Sequence, residues 1–124
     1  MEQLLLHFIG DFIFQNDEIG LRKKEKSWMG FVFCLCHCIV YGAVFLLITN
    51  WVGAVLIGFA HFILDRWHVV SHIIRWKNGV SHVKNFGYVE ERPVFMTAWL
   101  YIIHDNGLHL VCNYLIIKYI HHVL

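Results

Sequence analysis

Charged side chains are scarce in this chain. Lys, Arg, Asp and Glu supply 15% of its residues, against roughly a quarter in an ordinary soluble domain. The net charge is only +1, which excludes a protein that gathers nucleic acid by bulk positive charge. A single proline and the lack of any Ser-, Gln- or Glu-rich tract exclude a disordered chain. Serine occurs only as Ser27, Ser71 and Ser81, all in or beside expected loops, so no Ser–His nucleophile competes for the chemistry. The four cysteines follow no disulfide-framework spacing. What the chain has instead is oil: 58% hydrophobic residues and 16% aromatic ones.

The uncharged runs are long enough to cross a membrane. Trp28 to Leu64 contains no Lys, Arg, Asp or Glu, and Val94 to Ile117 contains only Asp105. At ~1.5 Å per residue, a run from Trp28 to Trp51 covers roughly 30 Å of hydrocarbon. The pattern predicts one all-α, four-span membrane domain over 1–124. Its helices fall at about 2–19, 28–49, 51–72 and 94–120, with Thr49–Asn50 as a tight helical hairpin and 73–93 as a loop. No basic segment precedes the first span and Asp11 interrupts it, which argues against a signal peptide. Loops 20–27 and 73–93 carry the positive charge: Arg22, Lys23, Lys24 and Lys26 near one, and Arg66, Arg75, Lys77, Lys84 and Arg92 near the other. The positive-inside rule places both in the cytoplasm of a bacterial inner membrane, with both termini outside.

Ten histidines stand out in a chain this apolar, and their spacing is helical. Gln3, His7, Asp11 and Gln15 form an i, i+4 row in span one. His61, Asp65, His68 and His72 share a face of span three, and Thr97, Tyr101, Asp105, His109 and Asn113 share one of span four. Gly30, Cys34, His37 or Cys38, and Tyr41 make a weaker stripe in span two. Four such stripes are satisfied only by turning toward one another, which gives a four-helix bundle with a polar His/Asp interior. Counting ~1.5 Å per residue from the ends, Asp11, His37, His61 and Asp105 all fall near the midplane. An ionisable group at that depth needs a partner and marks a functional site.

The pairs His7–Asp11, His61–Asp65 and Asp105–His109 each put an imidazole and a carboxylate on one helical face. Such pairs from several helices are the donor set of Zn, Mn or Fe centres. His7, Asp11, His61, Asp65, Asp105 and His109 are therefore the candidate metal ligands. His37 is a further ligand or acid, and Asp11 and Asp65 are candidate catalytic carboxylates. The competing reading is interhelical hydrogen bonding with no ion. Cys34 and Cys38 share a face that Cys36 does not, so Cys34, Cys36 and Cys38 cannot all hold one ion from a regular helix. Gly10, Gly42, Gly53 and Gly58 read as points of close helix contact.

The stretch from Leu4 to Gln15 is a leucine-rich run followed by His7, two residues, Gly10-Asp11-Phe12, two residues and Gln15. Lys23 and Lys24, His37 four residues before Tyr41, the His61–Asp65 pair, and Asp105-Asn106 three residues before His109 continue the pattern. Together these resemble domain-of-unknown-function family 3307, membrane proteins of bacteria and phages, with Asn106 in place of that family's usual Gln. The family is similar in pattern to predicted membrane-bound metal-dependent hydrolases, and this resemblance alone implies a reaction class. The expected function is then a hydrolase using a divalent metal, zinc first and Mn or Fe next, on a lipid or membrane-embedded ester. Membrane lipids are the expected partners, homo-oligomerisation is compatible, and nucleic acid is not expected. Two alternatives use the same residues or none of them. One is proton or metal-ion transport along the His/Asp row, and the other a small phage or bacterial interaction factor without catalysis.

Overall fold

The computed structural model describes residues 1–15, 17–82 and 84–123, and every regular element among them is helical. Helix α1 (Glu2–Phe8) runs without interruption into a π-helical turn, Ile9–Ile13, closed by a bond from the Phe14 N–H to the Ile9 carbonyl at 3.1 Å. Helix α2 (Asp17–Arg22) follows, then α3 (Trp28–Val44) with a tighter 3₁₀ turn at Phe45–Leu47. Ser27 starts α3, its hydroxyl accepting the Gly30 N–H at 3.0 Å. Asn50 starts α4 (Trp51–Arg66) in the same way, accepting the Gly53 N–H at 2.9 Å. Both are side-chain caps that satisfy a donor the helix itself leaves open. Helices α5 (Val69–Asn78) and α6 (Val94–Val123) complete the chain.

All-α architecture is as expected, but the helices are less regular than the spacing suggested. The first is short and breaks after the π turn, and Asn16 within the expected 2–19 helix lies outside the described residues. The third ends at Arg66, where His68 adopts a left-handed backbone (φ 51°, ψ 40°) and turns the chain by 57° into α5. Part of the expected 73–93 loop is therefore helix. It closes at Gly79, whose left-handed φ of 64° lets the Val80 N–H reach back to the Arg75 carbonyl. Among the described residues, Trp28–Leu47 is the one helix that is long and apolar enough by itself to cross a membrane; α4 and α5 qualify only as a bent pair. Helix α6 has the length, but Tyr101, His104, Asp105, Asn106, His109 and Asn113 dilute its apolar character.

Helices α3 and α4 form the tightest pair. A side chain on Gly42 would sit 2.7 Å from the Ala54 carbonyl oxygen, and one on Gly58 would sit 2.9 Å from that of Cys38. The backbones are in contact, as small residues permit. Helix α6 packs across α4 and also touches α1 and α5. One apolar cluster gathers Leu6, Tyr41, Phe45 and Ile57, and a second gathers Val70, Ile74, Tyr88 and Tyr101. Between them the interior is polar: His7, Lys23, His37, His61, Asp65, His109 and Asn113 are all buried. Large apolar side chains face outward instead, among them Leu5, Ile13, Ile39, Leu47, Phe59 and Ile103.

Candidate metal centre

Four helical segments deliver the buried polar groups to one place. His37 comes from α3, His61 and Asp65 come from one face of α4, and His109 comes from α6. Asp11 arrives from the π turn. The wider turn leaves room there because Gly10 lies flat against Tyr41, where a β-carbon would stand 2.6 Å from the ring. The Gly42–Gly58 crossing then brings the rings of α3 and α4 together, with His37 Nε2 3.0 Å from His61 Nε2.

Around that pair the carboxylates close in. Asp11 Oδ1 is 3.1 Å from His37 Nε2 and 3.2 Å from His61 Nε2. Asp65 Oδ2 is 3.4 Å from His61 Nε2 and 3.9 Å from His37 Nε2, while its Oδ1 lies 3.6 Å from His109 Nε2. Two overlapping sets, Asp11–His37–His61 and His61–Asp65–His109, each bring three ligand atoms within 4.8 Å of one another, a geometry that could hold a metal ion. His61 belongs to both. Its ring is stacked on Tyr41, the centroids 3.8 Å apart.

His109 is set up differently from the others. Its Nδ1–H donates to the Asp105 carbonyl at 2.8 Å, so in the neutral ring the lone pair falls on Nε2. That atom is buried and has no hydrogen-bond partner among the described residues. An imidazole fixed by a backbone carbonyl on one nitrogen and left free on the other is the usual preparation of a metal ligand.

His7 and Asp105, read from the sequence as ligands, fall outside both sets of three. Asn106 Nδ2 donates to the Ile102 carbonyl at 2.7 Å, which turns its oxygen toward His7 to accept the Nε2–H at 2.8 Å. Asn113 donates to the Tyr41 oxygen at 2.7 Å, and the Tyr41 hydroxyl in turn donates to His7 Nδ1, also at 2.7 Å. Both His7 nitrogens are thus engaged, with Asp11 Oδ2 3.6 Å away. Asp105 reaches the centre through its backbone, as the acceptor that orients His109. His68 and His72, expected to extend the row of His61 and Asp65, are carried away by the bend after Arg66. Cys34 and Cys38 are buried and Cys36 exposed, as their helical phase required. Among the described residues no cysteine joins a metal-capable group.

The sequence reading missed Lys23 as a member of the site. Counted there as loop charge and as part of the family pattern, but not as a site residue, it is buried and places its ammonium 2.6 Å from Asp65 Oδ2. Burial opposes the charge, but the carboxylates of Asp65 and Asp11 outweigh it and hold the ammonium above the ordinary lysine range. The available signal was that a lysine five residues before an apolar helix can fold its stem back over it.

No curated protein and no solved structure matches the chain. The family described as Protein of unknown function (DUF3307) matches over residues 1–124, which include Asp11, Lys23, His37, His61, Asp65 and His109, and the chain belongs to that family.

Proposed function

We propose that this is a small integral membrane protein whose buried His/Asp cluster binds a divalent metal ion, zinc or else Mn or Fe, and hydrolyses a lipid or other membrane-embedded ester or phosphoester. The observation that carries the reading is His109 Nε2, a buried lone pair with no partner, aimed at Asp65 beside His61. The charge count is compatible with it: Asp11 and Asp65 bring two negative charges and Lys23 one positive, and the remaining charge is balanced by a proton on the His61 ring between the two carboxylates or by a metal ion in its place. The outward-facing apolar side chains support the membrane setting, since a water-exposed surface of that composition would aggregate. In that setting loops 20–27 and 73–93 face the cytoplasm.

A bound divalent ion would acidify water at neutral pH and polarise a carbonyl or phosphoryl oxygen. His37, His61, Asp65 and His109 would hold it, and Lys23 would keep Asp65 oriented. Asp11 is the proton acceptor in this scheme. Its side chain is 16% exposed, against 5% for that of Asp65, so it is the carboxylate that water reaches. Tyr41, His7 and Asn113 position the rings around it.

The test is metal content by mass spectrometry on detergent-purified protein, beside a His61→Ala/His109→Ala variant. About one equivalent of Zn, Mn or Fe in the native chain, lost in the variant, is expected. Native protein that carries no metal, and takes up none on dialysis against zinc, would end the proposal. A metal-loaded protein would then be screened for release of fatty acid or phosphate from bilayer lipids, with Asp11→Asn expected to keep the metal and lose turnover at least a hundredfold.

A further inference from the structure

An open cavity of about 960 Å³ shares no lining residue with the metal cluster. Its walls carry Lys24, Lys26, Arg66, Lys84, His68 and His72. The carboxylate on the wall, Glu90, is already engaged by Lys84 at 3.4 Å and by His82 at 3.5 Å. Among the described residues neither Lys24, Lys26 nor Arg66 forms an ion pair. Arg66 is instead steadied through its guanidinium on the Glu25 carbonyl at 2.8 Å, and the Lys24 ammonium lies 5.5 Å from the centre of the Tyr101 ring. Three cations line one space, none of them in an ion pair among the described residues.

The backbone around this cavity is strained. Among the described residues, the non-glycine residues with positive φ are His68 (51°), Asn85 (49°) and Phe86 (60°), and all three line it. Such conformations persist where the surroundings impose them, and they cluster at ligand clamps and switch regions. The imposing bonds are present. Asn85 Nδ2 donates to the Val89 and Arg92 carbonyls at 3.0 and 3.1 Å, and its oxygen accepts from the Thr97 hydroxyl at 2.6 Å. The same turn seats the Phe86 ring on Tyr101, the centroids 5.0 Å apart.

We infer that this cavity binds the phosphate of a phosphate ester, carried by a lipid. Arg and Lys side chains meeting from different segments are the usual receptors for a phosphate group. The apolar rim argues for the lipid: Trp67 and Val94 line the cavity and are largely exposed, a place for an acyl or glycerol portion beside the charged head. The site does not depend on the metal, because none of its cations belongs to either ligand set. Lys24 and Arg66 nevertheless follow Lys23 and Asp65 directly in the chain, so the two sites share these backbone segments.

Titration calorimetry on the full chain in neutral detergent tests this with short-chain phosphatidic acid, the matching diacylglycerol and inorganic phosphate. Phosphatidic acid should bind at least tenfold more tightly than diacylglycerol. Lys24→Gln/Arg66→Gln and, independently, Lys26→Gln/Lys84→Gln should each weaken it tenfold or more, while Lys118→Gln, on the far end of α6, should not. Gel filtration, circular dichroism and metal content, unchanged in the variants, separate this result from misfolding and from failure of the metal site. Inorganic phosphate binding more weakly supports the lipid as carrier; equal binding supports the phosphate site with a free phosphate ester as its ligand. Diacylglycerol binding as tightly as phosphatidic acid, no binding at all, or folded double variants that bind like the native chain would overturn the inference.

Discussion

A single buried lysine decides much of the behaviour of the centre. Lys23 and Asp65 form a pair 2.6 Å apart with side chains 9% and 5% exposed, far from the screened surface pairs that contribute little. Removing one partner of such a pair leaves a buried charge uncompensated, at a cost of about 3–5 kcal/mol. Lys23→Met should therefore destabilise the metal-free protein by roughly 3 kcal/mol in a denaturant titration. Lys23→Met/Asp65→Asn should lose less than the sum of the single changes. Strict additivity would mean that the pair carries no coupling. The residue scale is also where the sequence was least informative. The i, i+4 rows identified Asp11, His61, Asp65 and His109, because period and burial go together in a helix. Lys23 sits outside any helix, where no period applies, and its role became visible only once α2 and α3 had set its direction. Nor does spacing reveal which nitrogen of a histidine is free. His7 and His109 look alike in the chain and differ entirely in their partners.

Two local devices position the side chains at the scale of the element. The π turn at Ile9–Ile13 carries Asp11, and π turns recur where a side chain must be re-aimed within a helix. The Gly42–Gly58 contact sets the distance between His37 and His61. Gly58→Leu should force α3 and α4 apart, since its first added atom already falls within 2.9 Å of the Cys38 carbonyl. The expected result is a loss of metal binding of tenfold or more with most helicity retained by circular dichroism. Full metal content in that variant would show that the crossing does not govern the site. Helix faces were legible from composition: Gly30, Cys34, His37, Cys38 and Tyr41 are the buried side of α3, and Thr97, Tyr101, His109 and Asn113 that of α6. Helix ends were less so. Trp67-His68 contains neither Gly nor Pro, so the break that separates His68 and His72 from Asp65 leaves no local mark.

At the scale of the whole molecule, large apolar side chains cover much of the outside while a polar cluster lies between two buried apolar ones. In the proposed membrane setting such a bundle has little hydrophobic drive holding its helices together, so the polar centre is a principal tie. A ligand that binds only the folded state adds about 3 kcal/mol of stability at a hundredfold excess over its dissociation constant. Stripping the metal with a chelator should accordingly lower the thermal midpoint by several degrees, and zinc should restore it. The His61→Ala/His109→Ala variant should show no such response. If chelation leaves the native midpoint unmoved, the ion is not part of the fold's stability. The centre is also drawn from distant parts of the chain, with Asp11 and His109 nearly a hundred residues apart. During synthesis, therefore, Asp11, Lys23, His37, His61 and Asp65 all emerge before the residue whose lone pair is free, and before Asn106 and Asn113 can fix His7 and Tyr41. The nascent protein must carry an unfinished charged interior until α6 is made and completes the site.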